Sequence, residues 1–340
     1  MGNDGRYSRQ ELFAPIGRAG QERLARARVL VAGCGGLGAN SAGLLARAGV
    51  GFLRIADRDV VELSNLQRQP LFSEADAREG LPKAIAAARH LALVSSGVRV
   101  EALVVDIDAS NVRRLVENVD LVVDGFDSFE ARYVLNDACV AAGVPWIHGA
   151  CVGSTATAGL VVPGTTPCLR CWHRNVPAPG SAHTCDMVGI IGPAAALAAA
   201  MQVGLALRFL VEGAPQGGGA LHSADAWDLS MDRLDLPPRD EDCPCCGLRR
   251  FEFLEGAGRA ATALCGRDAV QVRALSSARP DLPALAARLR ALGDVRANEY
   301  LLRLSVPPYE LTVFDDGRAI VKGTDDAALA RSLVARWIGV

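Results

Sequence analysis

The chain has 340 residues, half of them hydrophobic, and a formal net charge of −2 from 36 Lys and Arg against 38 Asp and Glu. That length suits two domains of ordinary size, and the charge balance excludes the broad basic surface of a nucleic-acid binder. Residues 1–10 are polar and lack the apolar core of a signal peptide. The ten cysteines cluster, which points to metal and thiol chemistry in a reducing cytoplasm rather than a secreted disulfide scaffold.

Arg6-Tyr7-Ser8-Arg9-Gln10 opens the chain as a basic helix start. The apolar run Val29–Ala32 reads as a strand and leads into Gly33-Cys34-Gly35-Gly36-Leu37-Gly38. A helix of small and apolar residues follows, ending near Ala48 with Gly49 as C-cap. A second strand, Phe52–Ala56, ends at Asp57. Strand, glycine turn, helix, strand and acid is the order of a Rossmann-type nucleotide fold. Glycines let the backbone approach a phosphate closely, and the helix N-terminus offers free N–H groups and partial positive charge. Asp57 stands where a carboxylate accepts hydrogen bonds from ribose hydroxyls. A nicotinamide dehydrogenase is the default reading of such a fingerprint. The polar loop Ser64-Asn65-Leu66-Gln67-Arg68-Gln69 argues against it, because the planar fork of Arg68 suits a triphosphate.

Further on, Pro82 opens a helix with Lys83 in its first turn. Val98–Asp106 reads as a third strand, and Ser110–Val119 as a short helix with Ser110 as N-cap. Leu121–Asp124 has the composition of a buried parallel strand. It runs into Gly125-Phe126-Asp127-Ser128, the position where open α/β sheets bind ligands. Asp127 or Ser128 can equally cap the helix Phe129–Ala142, on which Arg132 and Asn136 share a face. Val144–Ile147 begins another strand, and Thr155–Val162 starts a second half that is antiparallel in part.

Cys168-x-x-Cys171 and Cys243-x-x-Cys246 are two knuckles, together the four soft thiolates that a structural zinc prefers. Two redox-active pairs are the alternative, and Cys245 can stand in for Cys246. Cys185, two residues after His183, is a lone thiol in a loop. Met187–Leu207 is long and apolar enough for a membrane span. Gly192-Pro193 interrupts it, and the alanine-rich part beyond reads as a tightly packed core helix. Ala220–Leu229 and Arg233–Leu236 read as strands completing the domain, and Glu252–Arg259 as a linker. The rest is a small α+β unit: strands Ala269–Arg273, Leu301–Val306, Leu311–Phe314 and Ala319–Val321, and a helix Leu282–Leu292. A last helix, capped by Thr324 or Asp325, runs to Ile338.

GCGGLG followed by DRDVVELSNLQRQ resembles the ThiF/MoeB/HesA adenylyltransferases, bacterial relatives of ubiquitin-activating enzymes. The resemblance covers residues 6–250 and implies an α/β fold. That fold is a Rossmann-like, mainly parallel sheet continuing into antiparallel strands, clipped by zinc over residues 1–250. Residues 260–340 form a small α+β domain, for which partner docking and dimer stabilisation both stay open. The activity implied is ATP-dependent adenylation of the C-terminal glycine carboxylate of a ubiquitin-like sulfur-carrier protein (ThiS/MoaD-like, ending in Gly-Gly). This readies the carrier for thiocarboxylate formation, with a cysteine desulfurase or sulfurtransferase as sulfur donor.

By the same resemblance Gly33, Gly35, Gly36, Gly38, Asp57, Asp59, Asn65, Arg68, Gln69 and Lys83 hold ATP. Asp127 holds Mg2+ and serves catalysis, and Arg9 reaches into the other subunit's site in a homodimer. Cys185 is the transfer thiol, and Cys168, Cys171, Cys243 and Cys246 hold Zn2+. No nucleic acid and no membrane enter this picture. An NAD-dependent oxidoreductase and a tRNA-modifying, carboxylate-activating relative are the alternatives. The first lacks an obvious substrate-binding base here, and relatives of the second kind do not share the zinc knuckles.

Overall fold

The computed structural model describes residues 5–175, 188–215, 218–255, 261–264, 268–272 and 279–338. It divides into two compact units, Met1–Gly256 and Ala257–Val340.

The first unit is built on one eight-stranded sheet. Its strands are β1 (Arg28–Ala32), β2 (Phe52–Asp57), β3 (Arg99–Val104), β4 (Leu121–Asp124), β5 (Trp146–Val152), β6 (Thr155–Val161), β7 (Ala220–Asp225) and β8 (Ser230–Asp235), in the order 3-2-1-4-5-6-7-8. β1 to β5 run parallel, with Val29 opposite both Leu53 and Leu121. β1 and β4 are almost wholly buried, which is why they read as unbroken apolar runs. At Gly153, φ +62°, the chain reverses, and β6, β7 and β8 continue the sheet antiparallel. β8 is one of the two edge strands, the other being β3, and is exposed at all six residues. Met231 and Leu234 on it, and Trp227 and Leu229 in the turn before it, are strongly exposed apolar side chains.

The helices are α1 (Ser8–Glu11), α2 (Gly17–Arg26), α3 (Gly36–Arg47), α4 (Glu74–Glu79), α5 (Lys83–Val94), α6 (Val112–Leu115), α7 (Phe129–Ala142), α8 (Leu169–Trp172), α9 (Gly192–Glu212) and α10 (Glu252–Glu255). Strand order reverses between β1 and β4, and the crevice beyond their carboxyl ends is where such sheets hold ligands.

α9 is long and apolar enough to cross a membrane by length and composition. It is not buried all round, as its sequence suggests. Ala194, Ala195, Ala198, Ala199, Gln202 and Ala206 face inward, while Ala196, Ala200, Gly204 and Arg208 lie outward. Inside, Gln202 Nε2 donates to Asp124 O at 2.7 Å. A Cβ at Gly149 would sit 2.1 Å from that nitrogen, so the alanines and this glycine let helix and sheet approach closely.

Three local expectations give way. The helix read at Ser110–Val119 shrinks to α6, with Asn111 at its N-cap, because Ser110 Oγ donates to Asp108 instead. The linker read from Glu252 begins later: α10 buries Leu254, and Phe253 N donates to Asp137 Oδ2 at 3.1 Å. The last helix is capped by Asp326, whose Oδ1 accepts Ala328 N and Leu329 N, and not by Thr324 or Asp325.

The second unit is an antiparallel six-stranded sheet ordered 11-12-13-14-10-9. Its strands are β9 (Ala261–Leu264), β10 (Ala269–Val272), β11 (Asp294–Ala297), β12 (Leu301–Val306), β13 (Tyr309–Phe314) and β14 (Ala319–Lys322). Two amphipathic helices, α11 (Leu282–Leu289) and α12 (Ala327–Ile338), bury Leu285, Leu289 and Leu333 against Val270, Leu304 and Leu311.

Candidate active site

The glycine turn after β1 packs backbone against backbone with the loop after β4. Gly33 takes φ +91°, and a Cβ at Gly38 or Gly125 would lie 1.8 or 2.3 Å from Gly33 O. Gly36 is different: its Cβ would meet Ala195 and Arg68 only at 3.5 and 3.7 Å, ordinary contact. Packing within the fold does not require glycine there, and the position at the start of α3 leaves open space toward a ligand. Gly35, the N-cap of α3, lies beside Gln69.

Asp57, at the end of β2, is buried and organises the turn. Its Oδ2 accepts Cys34 N at 2.6 Å and its Oδ1 accepts Asp59 N at 2.7 Å. Each oxygen can accept a second hydrogen bond. Burial raises its carboxyl above the usual range, against the pull of Lys83.

Lys83 is also buried. Its Nζ pairs with Asp59 Oδ2 at 3.0 Å and its N–H donates to Asp59 O at 2.9 Å. Arg58 joins the group, pairing with Asp106 at 3.0 Å beyond the end of β3.

The polar loop closes over this end of the sheet. Arg68 Nη1 donates to Ser64 O at 3.0 Å, and its stem runs along Gly36. Asn40 Nδ2 ties the loop to α3 through Gly36 O and Arg68 O. Asn65 Oδ1 accepts Glu62 N at 3.2 Å, so its side chain caps the 3-10 turn Leu63–Asn65. Gln69 is 2% exposed, and its Oε1 has no hydrogen-bond partner. An orphaned buried acceptor beside a glycine turn fits a site completed by a ligand.

Asp127 is exposed beyond the end of β4. Ser128 holds the N-cap position of α7, yet its side chain makes no cap hydrogen bond. An exposed carboxylate is a hard oxygen donor of the kind magnesium takes together with substrate phosphates.

One predicted residue, Arg9, is not brought to the crevice of its own chain. Arg9, on α1, is exposed, and its helix is moored at the opposite end of the sheet: Gln10 Nε2 donates to Ala48 O at 2.8 Å, past the end of α3. The length of α3, about 18 Å, separates that end from the glycine turn. Cys185 and His183 lie outside the described residues.

The knuckles come together. Sγ atoms of Cys168 and Cys243 are 3.6 Å apart, those of Cys171 and Cys246 3.4 Å, and all four lie within 4.8 Å of one another. Zinc–sulfur bonds of about 2.3 Å set tetrahedral edges of about 3.8 Å, so the four residues fit that ion. Hydrogen bonding with Cys168 first, and with Cys246, brings the Cys171 thiol down to about 7. Cys245 stands outside this group of four and accepts Asn136 Nδ2 at 3.2 Å, so Cys246 is the fourth thiol of the cluster.

A buried group behind Asp127 had no signal in the sequence as a unit. Arg132 Nε pairs with Asp124 Oδ2 at 2.9 Å, both almost inaccessible to solvent. Burial by itself raises the Asp124 carboxyl, but Arg132 foremost, then His148 and Phe126 N–H, hold it below the ordinary value. His148 Nδ1 lies 3.5 Å from Asp124 Oδ2, ion-pair range but long for a hydrogen bond. Burial lowers the His148 imidazole from its usual value.

The ThiF family profile matches residues 7–245. The "Sulfur carrier protein ThiS adenylyltransferase" of Bacillus subtilis is 45% identical over 338 residues, 98% of this chain and 99% of that protein. The "SAMP-activating enzyme E1" of Haloferax volcanii is 39% identical over 250 residues, 74% of this chain and 91% of that protein. Among solved structures, E. coli MccB with AMPCPP and MccA superposes with a TM-score of 0.63 at 27% identity, over 72% of this chain and 75% of that one. A profile match over most of the chain and a relative 45% identical along almost its whole length show that the chain belongs to the ThiF family.

Proposed function

We propose that this chain is an ATP-dependent adenylyltransferase acting on the C-terminal carboxylate of a ThiS-like, ubiquitin-like sulfur carrier. The observation that carries the reading is the similarity to a ThiS adenylyltransferase along almost the whole of both chains. A carboxylate oxygen of the carrier attacks the α-phosphorus of ATP, the bond to the bridging oxygen breaks, and pyrophosphate leaves. The product is an acyl-adenylate open to a sulfur nucleophile.

Two anions meet in this step, so the site must concentrate positive charge. Asp57 holds the ribose, and Gly36 lets the phosphates reach the N-terminus of α3. Lys83 exchanges its bond to Asp59 for phosphate oxygens, and Arg68 offers its fork. Magnesium, when bound, neutralises phosphate charge, and Asp127 is the residue that would hold it. The four-cysteine cluster would hold zinc as a structural clip.

Arg9 stands a helix length from its own crevice, so its service to the reaction requires a second copy. The outward alanine and glycine face of α9 suits such close association. The bare edge β8, with Met231 and Leu234, offers a carrier both hydrogen-bonding backbone and apolar surface. A reducing cytoplasm suits the thiolates.

Pyrophosphate exchange into ATP, measured with a panel of purified carriers ending in Gly-Gly, tests the reading. Exchange stimulated by a ThiS-like carrier supports it. Exchange with none of the panel, from protein that binds ATP, refutes it.

A further inference from the structure

We propose that Arg132 is a positioning residue for adenylation, acting through Asp127; this rests on the role given to Asp127 above. The guanidinium does more than neutralise Asp124. Its Nε donates to Asp124 Oδ2, and its Nη2 donates to Phe126 O at 2.5 Å and to Gly149 O at 3.0 Å. Asp124 grips the same two residues by their N–H groups: Phe126 N donates to its Oδ1 at 2.9 Å, and Gly149 N to its Oδ2 at 3.3 Å. One buried ion pair thus holds both polar groups of Phe126 and both of Gly149.

Phe126 is the residue before Asp127, and its carbonyl belongs to the peptide that sets the direction of Asp127. Gly149 belongs to β5, so the loop is referenced to the sheet. On its other side the loop has no slack, because Gly125 already lies against Gly33. The hydrogen bonds of Arg132 go to Asp124, Phe126 O and Gly149 O, behind Asp127. Its fork sets where the Asp127 carboxylate is presented.

A merely structural Arg132 and a positioning Arg132 differ in one substitution. In Arg132→Lys the ammonium still neutralises Asp124, but a point charge on a flexible stem cannot reproduce the three-way fork. The assay is carrier-stimulated pyrophosphate exchange by the full chain, per ATP-binding site, so that misfolded protein is not counted. Arg132→Lys is expected to lower kcat about 100-fold, the loss that a displacement near 1 Å can produce, with the KM for ATP within about threefold of wild type.

The decisive step is a double-mutant cycle with Asp127→Asn, which keeps an oxygen donor in place. If Arg132 works through Asp127, the double variant reacts about as fast as Asp127→Asn alone. If both single variants lose rate and the losses multiply, the positioning role is overturned while the role of Asp127 stands. If Asp127→Asn and Asp127→Ala both react at the wild-type rate, the role of Asp127 is overturned, and the positioning role with it. Wild-type kcat in Arg132→Lys also overturns the proposal. Should the lysine variant not fold, Arg132→Gln, which keeps an amide donor without the fork, carries the same cycle.

Discussion

The contrast between Gly125 and Gly36 separates what the fold needs from what the ligand needs. A methyl group at Gly125 would sit 2.3 Å from Gly33 O, where an ordinary carbon–oxygen contact is about 3.3 Å. The two loops must part by about 1 Å. They are held by Gly33 N donating to Ala56 O and Gly125 N to Ala32 O, each at 2.8 Å. Gly125→Ala should therefore destabilise the first unit by about 1–3 kcal/mol, the range for overpacking. For a unit this size that lowers the unfolding temperature by roughly 2–12 °C. The same displacement, passed to Asp127, should slow pyrophosphate exchange about 100-fold.

Gly36→Ala should behave in the opposite way. Its methyl meets only ordinary contacts, and a helix gains up to about 1 kcal/mol from alanine over glycine. The unfolding temperature should hold or rise. The methyl stands in the path of the phosphates, so ATP affinity should fall about 10- to 100-fold by titration calorimetry, or 1.4–2.8 kcal/mol. Wild-type ATP affinity in Gly36→Ala would remove the glycine turn as a phosphate site. Wild-type melting and exchange in Gly125→Ala would show that the apposition of the two loops is not needed.

Three further outcomes are open to measurement. Cys171→Ala should lower zinc content from about one ion per chain toward zero and lower the melting temperature; unchanged zinc in the purified variant argues for another metal site or none. Arg9→Ala and Asp127→Ala should each be nearly inactive, and mixing them should restore part of the exchange, since one site of a mixed dimer is whole; a mixture that stays inactive after proven subunit exchange leaves Arg9 without a role across the interface. His148 is held neutral, chiefly by burial, below its ordinary value of 6.5, so its contribution to stability is present above about pH 6.5 and lost as pH falls toward the lowered value. His148→Gln should flatten that fall, with a residual slope from His173, also lowered by burial. Equal slopes in the two proteins would count against the assignment.

Much of this architecture is legible in the chain itself. Leu121–Asp124 and Phe129–Ala142 stand at the boundaries read from sequence, because an apolar run ending at Gly125 and a helix ending at Gly143 carry local signals. β9 and β11 were not legible: each has only four residues, too short a run for its pattern to stand out. The knuckle spacing named four thiols, but only the folded positions of the sulfurs, with Cys245 bonded to Asn136 more than a hundred residues away, distinguish Cys246 from Cys245. Arg132 could be placed on a helix face with Asn136, and nothing local says that Asp124 lies under it. That pairing is made by the return of α7 across the sheet, a tertiary fact. Asp59 and Asn65 were expected among nucleotide contacts, and the structure gives each a prior partner, Lys83 and Glu62 N.

The β8 edge of the sheet carries a consequence for handling the protein. An open strand with apolar residues is a template on which any other extended chain can pair, a second molecule of the same kind included. β8 guards against this with Asp232, Arg233 and Asp235 set among Met231 and Leu234. Arg233 is paired with Asp235 at 2.8 Å and both are well exposed. These charges keep the strand soluble without filling its hydrogen-bonding groups. Neutralising them, and not exposing more apolar surface, is the change that turns the edge into a site of precipitation when no other chain lies along it.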